Sequence, residues 1–279
     1  MNSRARVNST VGQHEMLVET SRPIRITETV LKLGLCCGVA ILVAIAVATV
    51  IGRAWSLADS GFAYDQFRQM LPASEAHFVD EINQWFTTHP ILTCLHIVPG
   101  GLLVVLAPFQ FSSHIRSRWI RFHRWSGRVI ALAALPVGLS GLVLGAVFPF
   151  GGPLASSAVF AAGALFLAAV VQAFTAIRRR DVVRHREWMI RMFSIGIGIS
   201  SVRLVGLVLL LIIPTSPLEL RTGLSFWIGF ALTFVAAEFW LRHTRSPGFT
   251  EQLRTSAAQQ IVGRERRARV SQLDSSGDA

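Results

Sequence analysis

Charged residues are scarce in this chain of 279 residues: they make up 15 % of it, whereas hydrophobic residues make up 52 %. A soluble domain usually carries about 25 % charged residues. Too few charges are present to cover a globular surface, and the mean hydropathy is +0.49. The composition therefore excludes an ordinary soluble protein and predicts a surface that faces lipid.

Cysteine is also rare, and the chain contains a single lysine, Lys32. Cys36, Cys37 and Cys94 all lie in apolar runs, and no Cys-x-x-Cys pair occurs, so neither a disulfide framework nor a cysteine metal site is expected. A P-loop, an HExxH motif, a nucleophile elbow and a dinucleotide fingerprint are missing as well. These absences disfavour a hydrolase or nucleotide enzyme of the soluble type.

Long apolar runs dominate what is present, and a membrane helix needs about 20 such residues. Six runs qualify, namely 33–52, 91–111, 129–150, 154–177, 192–214 and 224–241. We therefore predict an all-α fold, a polytopic bundle of six transmembrane helices over residues 29–242, in the inner (plasma) membrane. Polar tails at 1–28 and 243–279 are expected to be disordered.

Positive charge is distributed unevenly along the chain, which carries a formal net charge of +11. Of 27 basic residues, 23 fall in four segments that alternate with the spans, 1–32, 112–128, 178–191 and 242–279. Cytoplasmic loops carry such an excess, so both termini are predicted to lie inside. The expected partners are the bilayer and its anionic head groups, and no nucleic acid.

The long connection 53–90 is predicted to lie outside. Within it, Phe78, Ile82, Trp85 and Phe86 fall on one helical face. This pattern favours a short helix at the outer interface, and the alternative is a lid over an outer cavity.

Small residues recur within the predicted spans. Gly138, Gly141 and Gly145 share the third span, and Gly196 and Gly198 the fifth. Small residues let membrane helices approach closely, so we expect tight packing here.

Polar side chains collect at the predicted cytoplasmic ends of five spans. His123 and His185 precede two different spans at this level, as bis-histidine ligation of one b-type haem requires; no other metal is expected. The alternatives are that both carry protons or contact lipid phosphates. The remaining candidates for an inner polar pocket are Gln110, His114, Gln172, Asp181 and Glu238.

A second polar pair is predicted nearer the outer surface. His96 lies about 8 Å below the outer end of its span. Arg203 lies within the fifth span, and its long side chain is expected to extend outward to a similar level. A buried charge is expensive in lipid, so this pair is a candidate outer pocket.

Several motifs resemble one family of membrane proteins. They are His96-xxx-Gly100-Gly101, Pro108-Phe-Gln-Phe111, His123-Arg-xx-Gly127-Arg128, Asp181-xxx-His185-Arg-x-Trp-Met-Ile-Arg191 and Arg203. The sequence is similar over roughly residues 60–242 to the predicted membrane proteins of domain-of-unknown-function family 2306. The resemblance implies a multi-helix integral membrane protein without an established activity.

Two classes of function remain open on the sequence. The first is electron transfer through haem b held by His123 and His185, with a redox partner. The second is a small-solute, anion or proton transporter, or a non-enzymatic structural membrane protein. Whether the protein is an enzyme is not decided by the sequence, and a homo-oligomer is compatible with either class.

Overall fold

The computed structural model describes residues 33–52, 73–147 and 151–244, which are helical with short connections and contain no strand. The eight helices of these ranges are α1 (Leu33–Gly52), α2 (Ala73–Thr88), α3 (Pro90–Phe111), α4 (Ser113–Arg118), α5 (Ile120–Val147), α6 (Gly152–Arg178), α7 (Val182–Ile212) and α8 (Leu218–Thr244).

Six helices are long and apolar enough to cross a membrane: α1, α3, α5, α6, α7 and α8. The predicted all-α bundle with six spans is confirmed. The chain divides into two units, 1–45 and 46–279, and the boundary falls within α1. The remaining helices belong to the second unit, to which the description below applies.

Two helices begin well before the apolar runs from which they were predicted. Helix α5 starts at Ile120, nine residues before Val129, and α7 starts at Val182, ten residues before Met192. Their first turns are polar because they lie where a spanning helix leaves the hydrocarbon, so hydropathy alone stops short of them. As a result, His123 and His185 lie on helices, and the helical backbone restricts the directions that their side chains can take.

Helices α3, α5, α6 and α7 pack in sequence around a common interior, and α8 packs against α6 and α7. Leu103 and Phe166 are buried in this interior. Both side chains approach Gly196 of α7, where an added Cβ would contact each of them at 3.7 Å. The small residue at this position thus lets α3 and α6 approach α7.

Close packing at glycine agrees with the sequence prediction. A Cβ at Gly145 would lie 2.8 Å from Val159 of α6, and one at Gly138 would overlap Leu167. At the α7–α8 contact the neighbour is backbone, because a Cβ at Gly229 would lie 2.6 Å from the backbone nitrogen of Val202.

The connections use special backbone conformations. Gly151, just before α6, and Gly152, its first residue, have φ of +90° and +63°, a region that glycine enters without strain. After α6, Arg180 has φ of +62°, although residues with a Cβ are disfavoured there. The Asp181 carboxylate then accepts a hydrogen bond from the Arg184 backbone at 2.9 Å and caps α7.

The predicted helix in the 53–90 connection is present as α2. It meets α3 where the Thr93 hydroxyl donates to the carbonyls of Phe86 and His89 at 2.9 Å. Residues 53–72, the first predicted tail and residues 245–279 lie outside the described residues. The predicted start of the second tail at residue 243 is wrong by two residues, because α8 continues to Thr244. The interfacial position of α2 and the lid remain predictions.

Candidate functional site

One end of the bundle carries most of its charge. Here α5 and α7 begin, α3, α6 and α8 end, and α4 connects α3 to α5; we call it the basic end. Its segments 112–128, 178–191 and 238–244 contain twelve arginines and three acids. An anionic ligand or surface is therefore attracted to this end.

His123 lies in the first turn of α5 and is half-buried. Its Nδ1 atom is buried and has no hydrogen-bond partner among the described residues. The ring lies within electrostatic range of His185 and Arg116. A buried polar atom without a partner costs about 1–3 kcal/mol, so this nitrogen is a candidate for binding a ligand.

His185 lies in the first turn of α7, and its ring is directed to α6. Nδ1 is 2.8 Å from the carbonyl oxygen of Ala173. Because a carbonyl oxygen only accepts, Nδ1 carries the proton in this contact and Nε2 of the neutral ring keeps its lone pair. Histidines that bind metals are commonly oriented by such a contact through the other nitrogen.

Gln110, at the end of α3, fixes the first turn of α5. Its side chain is buried, and its Nε2 donates to the Ser126 hydroxyl at 2.6 Å and to the His123 carbonyl at 3.3 Å. Ser126 in turn donates to the Phe122 carbonyl at 2.7 Å. Gly127 leaves room for the amide, since a Cβ there would lie 3.4 Å from its oxygen. The predicted pocket residue Gln110 therefore positions His123.

Glu238 of α8 binds Arg191 of α7 through two contacts: Nε donates to Oε1, and Nη2 donates to Oε2 at 3.1 Å. Arg191 also lies 3.9 Å from Glu187 and 4.8 Å from the ring centre of Trp188. This network joins α7 to α8 beside the histidines, and it explains why an acid is tolerated near the end of α8.

The other inner candidates are on the surface. Asp181 is exposed and caps α7, whereas His114 and Gln172 are exposed on α4 and α6. Of the predicted inner layer, Gln110 contacts the turn that carries His123, and His185 lies within electrostatic range of His123.

Nearer the other end, His96 of α3 contacts α5. Its Nδ1 is 3.0 Å from the Ser140 hydroxyl, which itself donates to the Pro136 carbonyl and so accepts from the ring. Gly141 provides space, because a Cβ there would lie 3.5 Å from the ring.

Arg203 is exposed on α7, and its Nη1 donates to the Ile199 carbonyl at 3.2 Å. That contact points toward the basic end, opposite to the expected direction, because helical side chains tilt toward the N-terminus of their helix. The outer pocket of His96 and Arg203 remains a prediction.

Aromatic rings line the helices next to the histidines. Phe111 of α3 is 5.3 Å from Phe193 of α7, and Phe109 of α3 is 6.3 Å from Phe122 of α5, between ring centres. Among the described residues, no group of three or more His, Cys, Asp or Glu could hold a bare metal ion. These aromatic pairs join α3 to α7 and α3 to α5.

The sequence analysis did not single out Ser126 or Arg116, and Arg186 and Arg191 appear there only within a motif. Arg186 donates to the Thr244 hydroxyl at 3.3 and 3.4 Å, across the α7–α8 contact. The contacts of these residues depend on how the helices pack. Arginine is so common in the loops that its presence alone does not indicate which arginines make such contacts.

A family model described as predicted membrane protein (DUF2306) matches residues 93–241, more than half of the chain. The match includes the inner histidines, Gln110, His96 and Arg203. No curated protein and no solved structure matches the chain.

Proposed function

Because the chain belongs to the DUF2306 family of predicted membrane proteins, we propose from its own residues that it binds one b-type haem between His123 and His185 and transfers electrons at the basic end. The proposal rests on the hydrogen bonding of the two imidazole rings. One has a buried nitrogen without a partner, and the other is oriented with its Nε2 lone pair available.

The donor set suits a porphyrin better than a bare ion. A haem brings four nitrogens of its own, so two imidazoles from different helices complete its coordination, and bundle cores commonly build cofactor sites in this way. Iron with six ligands has no open position, which favours electron transfer over binding of a small substrate. Gln110 holds the α5 turn that carries one ligand, and aromatic pairs join α3 to α5 and α3 to α7.

The test is the visible spectrum of the full-length protein purified in mild detergent from haem-replete cells. We expect a Soret band that shifts on reduction and about one haem per chain. His123→Ala and His185→Ala should each lose this spectrum. His114→Ala, exposed at the same end, and His77→Ala on α2 are matched controls that should keep it.

A second pair of variants distinguishes loss of a haem ligand from loss of the spectrum through misfolding. His123→Gly and His185→Gly leave space for free imidazole, which should restore the band if each ring is a ligand. A wild-type protein that stays colourless after titration with haem contradicts the proposal. Activity without haem that depends on either histidine would then favour a proton carrier.

A further inference from the structure

We propose that the exposed side of α5 binds one anionic phospholipid, with its phosphate on Arg121, Arg124 and Arg128 and an acyl chain along the leucines that follow. All three arginines are exposed near the start of α5, at the basic end. Residues three, four and seven positions apart lie on the same side of a helix. The helical backbone therefore brings the three side chains together.

The charges of these arginines are not balanced within the described part of the protein. None of the three guanidinium groups makes a hydrogen bond or an ion pair with another described residue, and the first turn of α5 contains no acid. Like charges three or four positions apart on a helix repel each other, and the positive end of the helix dipole adds to this repulsion. An anion bound beside the first turns of α5 offsets both effects.

The same side of α5 continues as an apolar surface. Trp125 is 60 % exposed, and three exposed leucines follow it at helical spacing, namely Leu132, Leu135 and Leu139. Ile130 lies on the opposite side of the helix and is fully buried in the bundle. Because α5 is long and apolar enough to cross a membrane, its exposed leucines are in position to contact acyl chains.

The lengths of the charged and apolar parts match one leaflet of a bilayer. Eleven positions separate Arg128 from Leu139, or about 16 Å along the helix, and half of the hydrocarbon core is about 15 Å thick. Trp125 lies at the boundary between the two parts, as tryptophan does at membrane surfaces. Helical side chains tilt toward the N-terminus of their helix, which directs Arg128 toward the head group.

The combined surface favours a phospholipid over a soluble anion, which would contact the arginines alone. A guanidinium group donates two parallel hydrogen bonds to phosphate oxygens. Basic clusters beside membrane helices bind anionic head groups, whereas the choline of a zwitterionic lipid adds a positive charge that the arginines repel. The site does not depend on haem.

Binding of defined probes to the full-length protein in neutral detergent tests the site. Phosphatidylglycerol, phosphatidylcholine and glycerol 3-phosphate, which has the phosphate without acyl chains, are titrated separately and followed by native mass spectrometry. We expect phosphatidylglycerol to bind most tightly, and Arg121→Gln/Arg128→Gln to weaken its binding about 30-fold. The control Arg179→Gln/Arg180→Gln removes the same charge from exposed residues of the α6–α7 connection and should weaken binding less than about threefold.

A photoreactive group in the acyl chain of phosphatidylglycerol locates the lipid on the wild-type protein, without any variant. We expect crosslinks within residues 132–139, and crosslinks on other helices alone would overturn the site. Equal binding of the two phospholipids, or equal losses in the test and control variants, would mean diffuse surface contact and would also overturn it. Binding of glycerol 3-phosphate as tight as that of phosphatidylglycerol would indicate a soluble anion and contradict a lipid ligand.

Discussion

The contact between Arg191 and Glu238 predicts an asymmetric response to mutation. Their side chains are 13 % and 27 % exposed, and Glu187 is 14 % exposed at 3.9 Å from the same arginine. Arg191→Met removes the cation that both carboxylates contact, and removing one partner of a buried pair costs about 3–5 kcal/mol. Glu238→Gln keeps an oxygen that accepts from Arg191, and Glu187 remains, so a loss of about 1–2 kcal/mol is expected.

The free energy of unfolding is measured for both variants in detergent, by denaturant titration followed with circular dichroism. Glu238→Met and the double variant Arg191→Met/Glu238→Met complete a cycle with Arg191→Met. The loss in the double variant should be smaller than the sum of the two single losses, because neither member of the pair is then left without the other. If Glu238→Gln destabilises as much as Arg191→Met, the reasoning that Glu187 shares the arginine is wrong.

Three further predictions concern packing, strain and topology. Gly229→Ala should lower the midpoint of thermal unfolding, since its Cβ would lie 2.6 Å from the α7 backbone and overpacking costs about 1–3 kcal/mol; Gly206→Ala, with its nearest contact at 3.8 Å, should change it little. Arg180→Gly should stabilise the protein by about 1 kcal/mol, because glycine adopts the positive φ of this residue without strain, and an unchanged or lowered midpoint would argue against strain there. Reporter fusions after Asp80 and after Arg245 should report opposite sides of the membrane, and the same side for both would contradict the six-span topology.

Apolar runs of the sequence predicted the spanning helices because hydrophobic length is a local property. The predicted ends of the helices were less accurate, since Arg121 and Arg184 lie in first helical turns that hydropathy assigns to loops. A polar turn at the end of a span looks like a connection until its backbone hydrogen bonds are known.

Side-chain partners were the part that the sequence did not supply. The sequence indicates Glu238 as a candidate for the inner pocket, but its pairing with Arg191 spans 47 residues and depends on how α7 and α8 cross. Likewise, the sequence predicts Gln110 at the level of His123, whereas its contact with the His123 carbonyl depends on the packing of α3 on α5. The sequence pattern predicts how far along a helix a residue lies, but it does not determine which residues of other helices that residue contacts.

The direct test of the central claim is the reduced-minus-oxidised visible spectrum of the wild-type protein beside His123→Ala, His185→Ala and His114→Ala. Two imidazoles at one end of the bundle, one with a buried nitrogen lacking a partner and one oriented by a backbone carbonyl, predict a haem spectrum in wild type and His114→Ala and its loss in the other two. A haem spectrum that persists in both His123→Ala and His185→Ala, or a colourless wild type after haem titration, would contradict the account.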